Sequence, residues 1–263
     1  MSLVSPQSVR NYVSGLKTIH ALLDLSFPSL NSVQVRLTFK GLDRSVSHVV
    51  QRAVPVTPQI LVKISKVMDM SVLEDAVSWC LYLFMFYLFA RKSQFMVNSL
   101  SDIHVHKLVT RQDVFIQNNV LNVSFKWTKT RQTGGESLVI PLSPVPASVL
   151  CPVRAFQSML QLVPAPPSVP LFVVPDGASF KPVVYSSFQR GFKQHLMDVG
   201  LDPCGFSSHS FRRGGATFAF ACGVPGELVQ RYGDWKSDAY KMYLQFSYDH
   251  KLLVANQISS ALC

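Results

Sequence analysis

The sequence contains no CxxC pair, and its five cysteines (Cys80, Cys151, Cys204, Cys222 and Cys263) are odd in number and widely spread. Such spacing speaks against a disulfide framework or a zinc site and fits a reducing compartment, cytosol or nucleus. No signal-peptide pattern opens the chain. No apolar run approaches the ~20 residues needed to cross a bilayer. The most apolar stretch, Val77 to Ala90 (VSWCLYLFMFYLFA), runs straight into Arg91 and Lys92. It reads as a buried core helix, so no membrane partner is expected. Also missing are a GxxxxGK[ST] phosphate loop, an HExxH helix, an EF-hand loop and any internal repeat. Acids are the scarcer charge, with 15 Asp and Glu against 25 Lys and Arg.

A hydrophobic share of 48% over 263 residues makes a globular chain, able to hold one large core or a small domain beside a larger one. The net charge of +10 suits a polyanionic partner, because each phosphate neutralised releases a counterion. Nucleic acid is the first such partner; an anionic membrane and plain solubility are the other readings of charge alone.

Ser5-Pro6 is a helix start, with Ser as N-cap and Pro at the first helical position. Val9, Val13, Leu16, Ile19 and Leu23 follow at helical spacing. Pro28 ends that segment, and Val33 to Leu42 reads as a second helix with Gly41 near its end. Ser45 to Thr57 lacks periodicity and reads as an interdomain linker. A larger domain opens at Thr57-Pro58 with two helices ending near Phe95. Three β-rich runs come next: Val114 to Gln117, Val120 to Trp127, and Ser137 to Leu142. The last two are joined by a basic, glycine-containing turn, Lys129 to Gly135. From Cys151 the pattern is helical, broken by the proline-rich loop Pro164 to Pro170 and by Asp176-Gly177.

Phosphodiester transfer without a metal needs positive charge on the non-bridging oxygens, a nucleophile and a proton donor for the leaving oxygen. Arginine suits the first task, since its planar fork binds two phosphate oxygens and keeps its charge. His209 and Arg212, in His-Ser-Phe-Arg-Arg, lie one helical turn apart and can face the same way. A structural pair is the plainer reading, but Arg213 beside them favours an anionic ligand. Arg91 alone reads as a helix-terminal cation favoured by the helix dipole. Lys129 shares its turn with Lys126 and Arg131, where a solvated basic cluster is the default. Tyr240 and Tyr243 are a turn apart, and one of them reads as a packing residue. His104 and His106 alternate as strand neighbours do; with no third ligand near, they read as a surface pair. Trp79 and the Phe-rich run at 84–89 read as core.

Taken in order, these segments resemble the tyrosine recombinases. His209-Ser-Phe-Arg212 is similar to the family's HxxR. Gly233-Asp-Trp-Lys-Ser-Asp-Ala-Tyr-Lys-Met-Tyr243 resembles its later His or Trp and the Tyr one helix further on. Arg91-Lys-Ser-Gln-Phe, with Ser101-Asp-Ile following, resembles the R-x-S-E-L…x-D-I segment. Trp127-Thr-Lys129-Thr falls at the β-turn that carries the family's catalytic lysine, and Ile140-Pro-Leu matches the strand after it. The likeness runs from about residue 57 to 245, and more loosely over the N-terminal helices. The tail looks most like recombinases of DIRS-, Ngaro- and Crypton-type transposable elements. Each piece alone is weak, but four in the right order are specific.

The resemblance implies an α+β, mainly α fold. Helices around a small antiparallel sheet (57–263) would follow a partial helical core-binding domain (1–44) and a linker (45–56). It implies a site-specific DNA strand transferase working through a 3′-phosphotyrosine link, without metal, ATP or another cofactor. Arg91 and Arg212 would clamp the scissile phosphate, and Lys129 would protonate the leaving 5′-oxygen. His209 would act as acid/base or phosphate donor, Trp235 would supply an indole N–H and a packing surface, and Tyr243 would attack. The partner would be double-stranded DNA, held by a self-associated tetramer in the nucleus. Three departures stand out. Gln94 takes the place of the usual Glu or Asp. Gly233-Asp234-Trp235 replaces the usual Gly-His, with Asp234 nine and Trp235 eight residues before Tyr243. The N-terminal unit has about two helices where the family has four or five. The rival classes are a catalytically silent DNA-binding protein on an inherited recombinase fold, and a topoisomerase with the same chemistry.

Overall fold

The computed structural model describes residues 4–45, 53–102, 104–128 and 137–244, with 252, 255, 256, 259 and 260 beyond them. Contacts divide the chain into two units, Met1–Arg52 and Ala53–Cys263. In the first, α1 (Pro6–Leu22) starts as its sequence dictates, the Ser5 hydroxyl accepting from the Ser8 N–H at 3.1 Å. The second helix, α2 (Val33–Ser45), runs one turn past the expected end. Gly41 therefore sits inside it rather than closing it. Arg10 joins the two helices through Asp43 at 2.5 Å, its guanidinium over the Phe39 ring. No residue of either helix is buried.

The second unit begins earlier than the sequence pattern suggests. Residues 53–56, the end of the segment read as a linker, lie along the start of a later helix. The Val54 and Val56 N–H groups donate to Gly205 and Ser210 at 2.9 Å each, and the Val56 side chain is buried. Then come α3 (Pro58–Ser65), capped by Thr57, and α4 (Leu73–Tyr87). The latter is buried on every side from Trp79 to Phe86, as a helix apolar all round must be. The Phe run is core, as read. However, the helix does not reach Phe95. Leu88 caps it, Phe89 turns with a left-handed φ of 46°, and Lys92–Gln94 forms a separate 3-10 turn. The Gln94 side chain fixes that turn by accepting from the Arg91 N–H at 2.6 Å.

Strands β1 (Val114–Gln117), β2 (Val120–Phe125) and β3 (Leu138–Leu142) form an antiparallel sheet in that order. Asn118 and Asn119 both take left-handed φ in the two-residue β1–β2 turn, where asparagine is well tolerated. Leu121, Val123 and Phe125 alternate inward. His104 and His106 are not strand neighbours: His104 caps and His106 sits within a 3-10 turn, Val105–Lys107, with ring centroids 6.2 Å apart.

After α5 (Pro152–Leu162) a second hairpin appears, β4 (Val173–Asp176) with β5 (Ser179–Pro182). The sequence reading took Asp176-Gly177 as a mere break. Gly177, at φ 60°, is the hinge of a two-residue turn, but β5 carries a proline and little β-forming sequence to announce it. Helices α6 (Tyr185–Asp198), α7 (Ser208–Ala221) and α8 (Gly226–Tyr232) close the unit, followed by a 3-10 stretch, Asp238–Tyr243. Helices α5 and α7 both pack on α4, so the central apolar helix is the platform for everything after it.

Candidate active site

Helix α7 is set by its own first turn. The Ser207 hydroxyl accepts from the His209 N–H at 3.3 Å, and Ser210 returns a bond to the Ser207 N–H at 3.0 Å. This is a reciprocal cap that satisfies otherwise orphaned helix N–H groups. Phe211 locks the inner face, its ring 4.6 Å from Phe192 and 5.2 Å from Tyr82. Two glycines then let the helix approach its neighbours. A Cβ on Gly214 would lie 1.8 Å from the Val56 carbonyl oxygen, and one on Gly215 would lie 2.0 Å from that of Phe86. Without that approach Arg212 would not reach the end of α4.

Arg212 is 4% exposed. Its Nη1 donates to the Phe89 carbonyl, its Nη2 to the Gly233 carbonyl at 2.8 Å, and its guanidinium lies 3.7 Å from the centre of the Trp235 ring. Burial and then the Arg91 charge pull it down to about 9, with Tyr243 and Asp234 opposing. It remains charged at neutral pH. Two of its nitrogens hold main-chain carbonyls, out of the five N–H donors a guanidinium carries.

Arg91 comes from the loop after α4. Its Nη2 donates to the Asp234 carbonyl at 3.0 Å, and its Nη1 stands 3.5 Å from the Asp234 carboxylate. It is therefore not the terminal cation of a helix. His209 is exposed, yet its surroundings depress its pKa: desolvation first, then the charges of Arg212, Lys92 and Arg91. Four basic groups thus share one locality, with Lys92 the member that sequence reasoning passed over.

The two tyrosines differ in exposure. Tyr240 is 4% exposed, whereas Tyr243 is half-buried, its ring 5.7 Å from Trp235 and its phenol close enough to act on Arg212. Tyr243 is tied down through its backbone, where Thr217 donates to its carbonyl at 2.7 Å. Trp235 folds over Gly233 so closely that a Cβ there would lie 1.7 Å from the indole ring. Arg91, His209, Arg212, Trp235 and Tyr243 are thus brought together from three separate parts of the chain. Lys129 and Arg131 lie outside the described residues. Lys126 is engaged elsewhere, paired at 2.5 Å with Asp113, whose carboxyl resists burial and stays below its ordinary value through Lys126 and Thr110. Asp102 accepts main-chain N–H bonds from Asn98 and His104.

The residue that sequence reasoning undervalued is Asp234, which it weighed only as a counting ambiguity. It adopts a left-handed φ of 53° and meets Arg91 through both carbonyl and carboxylate. An apolar cavity of about 660 Å³, lined by Phe86, Phe89, Ile140, Phe218, Leu228 and Tyr232 among others, adjoins this locality but contains none of His209, Arg212 or Tyr243. Among the described residues no group of three or more His, Cys, Asp or Glu could hold a metal ion, and no helix is long and apolar enough to cross a membrane.

Helices packed on a buried central helix, beside a small antiparallel sheet, make up the catalytic-domain fold of the tyrosine recombinases. Solved structures of that class superpose on the chain. The Tn1549 transposon integrase bound to transposon right-end DNA matches with a TM-score of 0.61 at 13% identity, covering 97% of this chain and 80% of that one. XerA recombinase matches at 0.53 and 14%, covering 97% and 82%. XerH recombinase in a post-cleavage complex with difH DNA matches at 0.55 and 16%, covering 76% of this chain; the match spans about half (51%) of the XerH chain. At these identities the likeness is one of fold. No protein-family model matches the sequence, and comparison with curated proteins found no match.

Proposed function

We propose that this chain is a DNA strand transferase of the tyrosine recombinase class, cutting and rejoining DNA through a 3′-phosphotyrosine link. The observation that carries the reading is the gathering of Arg91, His209 and a half-buried Tyr243 around Arg212, on a fold whose solved examples include recombinases in complex with DNA. Arg91 and Arg212 bind the non-bridging oxygens and stabilise the charge of the pentacoordinate transition state. Tyr243 attacks phosphorus. A phenol is a weak nucleophile, and the Arg212 guanidinium lies close enough for the two groups to interact electrostatically. His209, neutral in the free protein, takes or gives a proton, or donates to the phosphate. Trp235 holds Arg212 by its ring face. Lys129 is the proposed acid for the leaving 5′-oxygen. The covalent link conserves the bond energy of the diester, so rejoining needs neither ATP nor metal.

Beyond the chemistry, the reading extends to a transposable-element origin, a nuclear location and a tetramer on two DNA sites; the DIRS-like tail and the basic net charge support these. The test is covalent capture on nicked duplexes whose cut fragment diffuses away. A protein band shifted under denaturing conditions, lost in Tyr243→Phe and kept in Tyr240→Phe, is the expected result. Capture that persists in Tyr243→Phe sinks the assignment of the nucleophile. Duplex binding without capture by the parent protein favours the silent DNA-binding alternative. Relaxation of supercoiled plasmid by monomeric protein would favour a topoisomerase.

A further inference from the structure

We propose that the Asp234 carboxylate is a built-in competitor of the scissile phosphate for Arg91, so that DNA engagement exchanges one anion for the other. The inference rests on the recombinase reading. Its basis is an acid set among the cations of the site, in a chain where acids are the scarcer charge. Asp234 Oδ2 stands 3.5 Å from Arg91 Nη1, with side-chain exposures of 13% and 20%. The same residue's charge acts on Arg212, so the carboxylate is felt by both guanidiniums.

A carboxylate and a phosphodiester each carry one negative charge and accept from the same guanidinium fork. Two such anions repel at this range, more strongly in a half-buried site than in water. The phosphate therefore takes Arg91 only as the carboxylate releases it. The Asp234 carbonyl, 3.0 Å from Arg91 Nη2, is unaffected by that exchange and keeps the guanidinium in place throughout. Position and charge thus come from different atoms of one residue. The backbone does not demand the charge either: at φ 53° asparagine is accommodated as readily as aspartate. The acid suppresses binding to stray phosphates and reserves the site for a duplex that brings other contacts with it. Asp234 acts through Arg91 and is a positioning and gating residue.

The experiment measures binding of a mixed-sequence DNA duplex by fluorescence anisotropy across a salt series, for the parent, Asp234→Asn, Arg91→Ala and the double variant. Asp234→Asn is expected to bind on the order of tenfold tighter at low salt. Its slope of log affinity against log salt should steepen by up to about 0.9, because no freed carboxylate takes up a cation on binding. Most of both changes should be lost in the Arg91→Ala background, the remainder acting through Arg212, an effect that a merely structural role for Asp234 would not produce. Asp234→Gly, which also fits the left-handed backbone, is read the same way if the asparagine variant melts early. Equal or weaker binding by folded Asp234→Asn or Asp234→Gly overturns the proposal, as does a gain undiminished by loss of Arg91, or no duplex binding by any variant. Covalent capture by the parent reports on the recombinase reading separately, so failure of one is distinguishable from failure of the other.

Discussion

Replacing Arg212 by lysine preserves the charge and removes the fork, so it separates what the residue holds together from what it offers to a phosphate. The arginine ties the Phe89 carbonyl to the Gly233 carbonyl while lying on Trp235. An ammonium at the end of a flexible stem cannot serve two carbonyls and an aromatic face in that geometry. At least one charge-assisted bond is lost, about 1.5–3 kcal/mol, and a buried carbonyl is left without a donor, about 1–3 kcal/mol. Part of the attraction to the indole survives in the lysine. A net loss of about 3 kcal/mol follows, and in a domain of this size each kcal/mol shifts the midpoint by about 2–4 °C. Thermal unfolding followed by circular dichroism should therefore show Arg212→Lys melting about 6–12 °C below the parent. Arg91→Lys, more exposed and held by Asp234, should stay within about 1 kcal/mol. Covalent capture should be lost in Arg212→Lys. If Arg212→Lys melts with the parent, the two carbonyl bonds are not a strut, and the reasoning fails even if capture is lost.

Four further outcomes are expected. Desolvation, Arg212, Lys92 and Arg91 hold His209 below its ordinary value, and a bound phosphate opposes those charges, so binding takes up a proton. Duplex affinity should rise as pH falls from about 8 toward 5, and His209→Gln should flatten the profile; a parent profile as flat as the variant's refutes the linkage. Stability has the opposite sign. Above the unfolded-state value His209 is neutral in both states, and below it the unfolded chain gains its proton first, so the parent loses stability in acid more than His209→Gln does. Lys126→Ala should cost about 1 kcal/mol, because its exposed ammonium pairs with buried Asp113, yet leave capture intact. Lys129→Ala should lose capture and regain it on a DNA whose leaving oxygen is replaced by sulfur, which needs no proton; capture lost in Lys126→Ala instead would reverse the assignment of the acid.

What the sequence made legible follows from the range of the forces involved. The sheet β1–β2–β3 was readable because alternation and turn chemistry are local: Leu121, Val123 and Phe125 point inward over a turn of two asparagines. The apolar run from Val77 was readable for the same reason. His209 and Arg212 were readable as a pair because one helical turn separates them. Phe89's left-handed turn was not, since the helix pattern runs through it without a glycine. Nor was the role of Asp234, whose partner Arg91 lies 143 residues away. A short hairpin with a proline in its second strand gives no local signal at all.

The Gly214-Gly215 pair joins these two kinds of information. In isolation it reads as weak helix sequence, costing about 1 kcal/mol per residue relative to alanine. In the fold it leaves out side-chain atoms that would collide with the Val56 and Phe86 carbonyls. The approach carries Arg212 to the turn after α4, where the strained Phe89 presents its carbonyl. Across the site, Asp234 is also left-handed and presents its carbonyl to Arg91. Both arginines are thus received by carbonyls of non-glycine residues in a sparsely populated conformation, one that persists only when the surroundings enforce it. The glycines supply the closeness, the two turns supply the acceptors, and the guanidiniums lock them. A site held this way forms with the fold rather than after it, which is why the sequence motif and the packing of α4 against α7 cannot be varied independently.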